Sequence, residues 1–336
     1  MDQATSNLKV RYEFDAAVLF TKHPPVLRHP HKRTIQSIAC PPGLTPSGVV
    51  TFSRWVEFPL PVNVPPVSAP QITSRPCIYD YRVTDTIPHA VDWHVNFADP
   101  ELFVAYGSPL FAQDEIQVAE HPVLGSIREA LRTLGDDAAT VDGLRPTPVL
   151  IRGVERRVIV AINVNRPLGR PRGLYGNDFA TAPDYAIIDA CTRVDPPTLS
   201  NILAIAAPSP AHGHYTRDQI SYILRAAYSG FTAARIESRE VAGPNAATII
   251  HTGFWGCGAF GGNRTMMLTL QIAAASLAGI HSLVFYTVDP AGQSSFNTAL
   301  DVWHRHFSAR PVSSSSSAII ETALGLRLSW GQSDGN

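Results

Sequence analysis

No stretch of this 336-residue sequence approaches the ~20 consecutive apolar residues of a transmembrane helix. Met1 to Ser6 lack the basic-then-apolar pattern of a secretory signal. The sequence is therefore read as intracellular, cytoplasmic and without a membrane partner. Cysteine is sparse, and Cys40, Cys77, Cys191 and Cys257 have neither metal nor redox spacing. They are read as buried free thiols in a reducing compartment. No cluster of Cys or His has metal spacing, so no metal and no cofactor are expected. Charge is also modest: 16% charged residues and a net −1 give no global basic field for nucleic acid. The local cluster His23, His29, His31, Lys32 and Arg33 is read as a solvated surface segment. There is no internal repeat, and a monomer is expected.

What is present is a chain that is 45% hydrophobic, enough for a sizeable core. Prolines punctuate residues 1–80: Pro24-Pro25, Pro41-Pro42, Pro59, Pro61, Pro65-Pro66, Pro70 and Pro76 exclude a long helix there. Only Gly48 to Phe52 has strand character. This region is read as an N-terminal accessory layer packed on a core of residues 81–312. Residues 313–336, opening with the serines 313–317, are read as a flexible C-terminal tail.

In the core, His94–Ala98, Val158–Ile162, Tyr185–Ile188, Ala247–His251 and Ser282–Tyr286 are short apolar runs with strand character. Gln113–Ala119 and Ile127–Leu134 read as helices. Thr216 and Gln219 form a capping box for another, whose face is Ile220, Ile223, Leu224, Ala227 and Tyr228 and whose stop is placed at Gly230. Arg264–Ala278 and Phe296–Phe307 complete the set. Strands alternating with helices predict an α/β fold, with a mixed β-sheet sandwiched between helices.

Between Thr252 and Gly262 the chain reads Thr-Gly-Phe-Trp-Gly-Cys-Gly-Ala-Phe-Gly-Gly, and a helix follows. Bare backbone lets an anion approach. Several N–H groups can converge on it, and the helix dipole adds positive potential. Gly256, Gly258, Gly261 and Gly262, with Ala259, are therefore candidate phosphate ligands. Phe254 and Phe260 are candidate walls for a ring or sugar, whereas Trp255 and Cys257 are read as core packing.

Six segments in order carry a resemblance. Thr45-Pro46-Ser47-Gly48-Val49-Val50-Thr51-Phe52, Val95-Asn96-Phe97-Ala98-Asp99, Gln113-Asp114-Glu115-Ile116, Ile187-Ile188-Asp189-Ala190, Leu224 to Phe231, and Thr252 to Gly262 resemble motifs of the poly(ADP-ribose) glycohydrolase family. That family's catalytic domain is a macrodomain with an added helical layer. The resemblance implies a macrodomain-like fold and a metal-independent ADP-ribosyl glycohydrolase. Its substrate would be ADP-ribosylated protein, its product ADP-ribose, and the bond cut the glycosidic bond at the distal ribose. It implies Glu115 as the general acid, Asp114 as a ligand of ribose hydroxyls, and Gln113 as a loop-shaping or sugar-bonding residue. Asn96 and Asp99 fall on the family's strand motif with its Asp and Asn exchanged. Tyr175 is a candidate for stacking on adenine.

The departures are specific. The family's triglycine falls on Phe103-Val104-Ala105, so three side chains are expected where bare backbone approached the ligand. Phe254 replaces an Asn. A second carboxylate, Asp99, suits a cationic guanidinium leaving group, and so mono-ADP-ribosyl-arginine over polymer. The alternative is a reader: a macrodomain that binds ADP-ribose and cleaves nothing.

Overall fold

A computed structural model describes residues 6–62, 69–308, 315–333 and 335. The signal-peptide reading of the first five residues and the serines 313 and 314 lie outside them. In chain order the elements are β1 (Leu8–Asp15), α1 (Ala16–Lys22), α2 (Pro30–Ala39), β2 (Val49–Trp55), β3 (Gln71–Arg75), β4 (Ala90–Ala98), α3 (Gln113–Glu120) and α4 (Val123–Leu134). Then come β5 (Val141–Asp142), β6 (Arg145–Pro146), β7 (Val149–Val160), α5 (Asp178–Thr181), α6 (Asp184–Ala190), β8 (Cys191–Ala206), α7 (Arg217–Ala242) and β9 (Ala247–Thr252). The chain closes with α8 (Arg264–Ala278), β10 (Ser282–Tyr286), α9 (Pro290–Trp303), a π-helical turn at His304–Ser308, and α10 (Ser316–Gly325).

Eight strands form one mixed sheet in the order β1-β2-β7-β8-β4-β9-β10-β3. β1, β2, β7 and β8 pair antiparallel; β8, β4, β9, β10 and β3 pair parallel. The carboxyl ends of the parallel strands therefore share one edge, where the loops of an open α/β sheet make a crevice. Alternation along β4 separates two environments. Val91, Trp93 and Val95 enter the large core under α7 and α8. Asn96, on the opposite face, meets α3. Among the described residues no helix is long and apolar enough to cross a membrane, and no group of three His, Cys, Asp or Glu can hold a metal.

Several expectations change. The first 80 residues are no separate layer, since β1, β2 and β3 are strands of the main sheet. Among the described residues, their prolines lie outside the strands. Tyr185–Ile188 lies in the helix α6, where Ala186, Ile187 and Ala190 are buried while Tyr185 and Ile188 are exposed, a helical rather than a strand period. α7 has the Thr216–Gln219 capping box, but it runs through Gly230 to Ala242. Gly230 is a close-packing position: a Cβ there would lie 2.8 Å from Ile205 Cγ2. Ser315, from the serine run, caps α10 by accepting from Ala318 N. The four cysteines are free thiols, half-buried rather than buried. In the basic cluster, His31 and Lys32 are 5% and 2% exposed, so that cluster is not a solvated face.

Candidate active site

Two loops leave the carboxyl ends of the neighbouring strands β4 and β9. The first leads to α3, with Ala112 as N-cap and Gln113, Asp114 and Glu115 in the first turn. Gln113 latches the helix to the strand. Its Oε1 accepts from Phe97 N at 2.8 Å and its Nε2 donates to Val95 O at 3.1 Å. Asn96 Nδ2 donates to Asp114 Oδ1 at 2.9 Å. Glu115 Oε2 accepts from Ala112 N at 2.9 Å, closing the helix start.

Asp114 and Glu115 are 6% and 3% exposed, so two carboxyls share one nearly dry turn. Burial, then the Glu115 carboxylate, pushes Asp114 up to about 8, against the Asn96 hydrogen bond and Lys32. Asp114 therefore keeps a proton at neutral pH. Lys32 reaches this turn from α2. Its Nζ donates to Tyr106 O at 2.9 Å and lies 4.8 Å from the Phe111 ring centroid. Burial pulls it down to about 7, opposed by Glu115 and Asp114. Nothing in the sequence marked Lys32 apart from its basic neighbours; only packing distinguishes it.

The segment at 103–105 departs from expectation. Phe103 is fully buried and turns into the core with Leu102 and Leu124, not toward the crevice. Its φ of +55° is a left-handed conformation that glycine adopts freely. Val104 and Ala105 are half-buried. Asp99 makes a local turn, Oδ1 accepting from Glu101 N at 2.9 Å. Gly107, the glycine left in this loop, passes under the N-terminal segment, where a Cβ would lie 2.3 Å from Val26 O.

The second loop, Gly253 to Gly262, is internally braced. Gly262 N donates to Gly256 O at 2.8 Å and Gly261 N to Gly258 O at 2.9 Å. Gly256 and Gly261 take φ values of +73° and +65°. Among the described residues, the consecutive amides of Gly258, Ala259 and Phe260 have no acceptor, so they form a concavity suited to an anion. The loop's first residue abuts the acid strand: a Cβ on Gly253 would sit 3.2 Å from Phe97 Cζ. Trp255 is core packing, fully buried with Nε1 donating to Ile205 O at 3.0 Å. Phe254 packs on Phe285 and carries the Arg264 guanidinium over its ring at 4.5 Å, while Phe260 is half-buried.

Other candidates separate from this pair of loops. Tyr175 is partly exposed beside Gly176, whose N–H donates to Phe111 O at 2.9 Å, which puts it at the shoulder of α3. His251 is a satisfied core histidine, with Nε2 2.7 Å from Asp92 Oδ1. Two residues that hold the glycine loop were missed. Gln271 donates to Gly253 O at 3.2 Å and accepts from Thr252 Oγ1 at 2.6 Å. The Tyr215 hydroxyl accepts from Asn263 N at 2.7 Å. The lone amide in the apolar run of α8 was the available signal for Gln271.

Residues 171–294 match the family model "Poly (ADP-ribose) glycohydrolase (PARG), Macro domain fold". That stretch, little more than a third of the chain, is similar to the poly(ADP-ribose) glycohydrolase family. The matched stretch contains the glycine loop; the acid helix α3 lies upstream of it. No curated protein matches the chain. Among solved structures, poly(ADP-ribose) glycohydrolase from Deinococcus radiodurans in complex with ADP-ribose is 12% identical, with a TM-score of 0.42, over 90% of this chain and 98% of that one. The enzyme from Thermomonospora curvata is 14% identical, with a TM-score of 0.39, over 88% and 87%. The same enzyme bound to the inhibitor ADP-HPD is 15% identical, with a TM-score of 0.44, over 68% and 78%.

Proposed function

We propose that this chain is an ADP-ribosyl hydrolase that cuts the glycosidic bond of the distal ribose in ADP-ribosylated protein and releases ADP-ribose. One observation carries the reading. A loop with three consecutive unpartnered amides leaves β9, while a buried carboxyl pair follows the neighbouring strand β4. The amides suit a diphosphate and the carboxyls suit an oxocarbenium-like transition state. In this reading the proton held by the Asp114–Glu115 pair is delivered by Glu115 to the leaving oxygen, and the resulting Glu115 carboxylate then activates water. Asp114 and Asn96 hold ribose hydroxyls. Gly256, Gly258, Ala259, Phe260, Gly261 and Gly262 line the diphosphate.

The finer reading is mono-ADP-ribosyl-arginine as substrate. Its support is now the charge of Asp99 near the acid turn, because Phe103 adds no bulk to the crevice. Asp99→Asn is expected to reduce arginine-linked activity more than polymer activity. Side-by-side kinetics on both substrates test this, and a clear preference for polymer overturns it.

A binding-only reading has one observation in its favour: Glu115 commits Oε2 to Ala112 N. Calorimetry with ADP-ribose, beside release assays on automodified polymer and on arginine-linked protein, separates the two. Binding with no release from any linkage makes the chain a reader. Release with loss on Glu115→Gln makes it the hydrolase.

A further inference from the structure

The segment after α10 is a structured crossing that nothing in the function above uses. Ser329 forms an isolated antiparallel bridge with His214, and Trp330 N donates to Gly213 O at 2.8 Å. The Trp330 indole stacks on Tyr215, with ring centroids 4.6 Å apart and planes 16° apart, and its Nε1 donates to Gln219 Oε1 at 3.2 Å. Tyr215 in turn holds Asn263 N, and Asn263 Nδ2 donates to Ser329 O at 3.0 Å. Asn263 is the N-cap of α8, accepting from Met266 N, so this ring of contacts closes on the end of the glycine loop.

The crossing then passes the loop itself. A Cβ on Gly331 would lie 3.2 Å from Gly261 O, and a Cβ on Gly261 would lie 2.9 Å from Ser333 N. Two glycines thus allow two backbones to touch. Farther on, Gly335 O accepts from Asn177 Nδ2 at 3.2 Å. Asn177 follows Gly176, which is bonded to Phe111 O at the shoulder of α3. The segment therefore joins the loop after β8, the glycine loop and the start of the acid helix.

We propose that Ser329–Ser333, anchored by Trp330, is a positioning strap that holds the glycine loop in its anion-binding shape. The inference rests on the ADP-ribose reading of that loop. A loop with five glycines between 253 and 262 has more backbone freedom to lose than any other composition. Ordering it at the moment of binding weakens affinity, and ordering it beforehand restores it. The strap supplies that order from outside the loop, at Asn263 and at Gly261. Among the described residues, neither Trp330 nor Gly331 hydrogen-bonds the Gly258–Phe260 amides, so their effect is exerted through the loop.

The test uses the full chain and ADP-ribose as probe. Trp330→Ala is expected to weaken ADP-ribose binding about tenfold by calorimetry. On ADP-ribosylated protein it should raise KM with kcat nearly unchanged, because the diphosphate is held alike in ground and transition states. Trp330→Phe, which keeps a ring on Tyr215, should recover most of the affinity. If Trp330→Ala does not fold, Gly331→Val carries the same expectation with the Trp330–Tyr215 stack intact. Unchanged affinity in a folded variant overturns the strap, and so does tighter binding, which would make the segment an obstacle. Wild-type protein that does not bind ADP-ribose overturns the parent reading and the strap together, whereas equal binding by wild type and variants overturns the strap alone.

Discussion

Asn96 on β4 donates to Asp114 on α3 at 2.9 Å, and both side chains are buried. With the two bonds of Gln113 to Val95 and Phe97, this pins the first turn of an eight-residue helix to the end of a central strand. A helix that short is not stable alone. Its position, and so that of the carboxyl pair, is set by three side-chain bonds to one strand. A site built on such fixed elements holds its geometry more tightly than one on a free loop.

Glu115→Gln should retain ADP-ribose binding and lose turnover by on the order of 10²-fold or more. The amide keeps an oxygen for Ala112 N but has no proton to give. Release assays paired with calorimetry check this. Wild-type turnover in the variant would remove Glu115 from the acid role.

Asp114 couples stability to pH. Its native value of about 8 lies above the ordinary 3.8, so between those pH values the folded state holds a proton that the unfolded state has released. Stability from this group is therefore full below about pH 4 and lost as pH rises through about 8. Asp114→Asn removes the dependence. Melting temperatures from pH 4 to 9 should fall more steeply for wild type than for the variant. Parallel curves would mean that Asp114 titrates normally.

Lys32 is the cation that opposes the rise of Asp114. In Lys32→Met, Asp114 should ionise at higher pH, and the pH profile of kcat/KM should move upward with it. An unmoved profile in a folded variant would separate Lys32 from the electrostatics of the pair.

Gly262→Ala should weaken ADP-ribose binding. Its Cβ would lie 2.6 Å from Gly256 O, the acceptor of the loop's own Gly262 N–H bond, so the loop must open to accommodate it. Isothermal titration measures the loss. Full affinity with an intact fold would place the phosphate elsewhere.

Local sequence determined a good part of this protein. The glycine spacing from Gly256 to Gly262, the capping box at Thr216, and the alternation of strands and helices follow from backbone freedom, side-chain reach and period, which neighbours in sequence decide. The acid pair was legible for the same reason: Asp114 and Glu115 are adjacent at a helix start. Tertiary structure alone decided the rest. Gly230 reads as a stop, yet it lets α7 pass close to Ile205. Lys32 reads as a surface cation, yet it is buried beside Phe111. Phe103 reads as bulk in the crevice, yet its left-handed backbone turns it into the core. Ser329–Ser333 reads as a tail, yet it lies against Gly261. Each of these depends on a partner tens of residues away, and burial, close approach and buried-charge energetics exist only once that partner is in place.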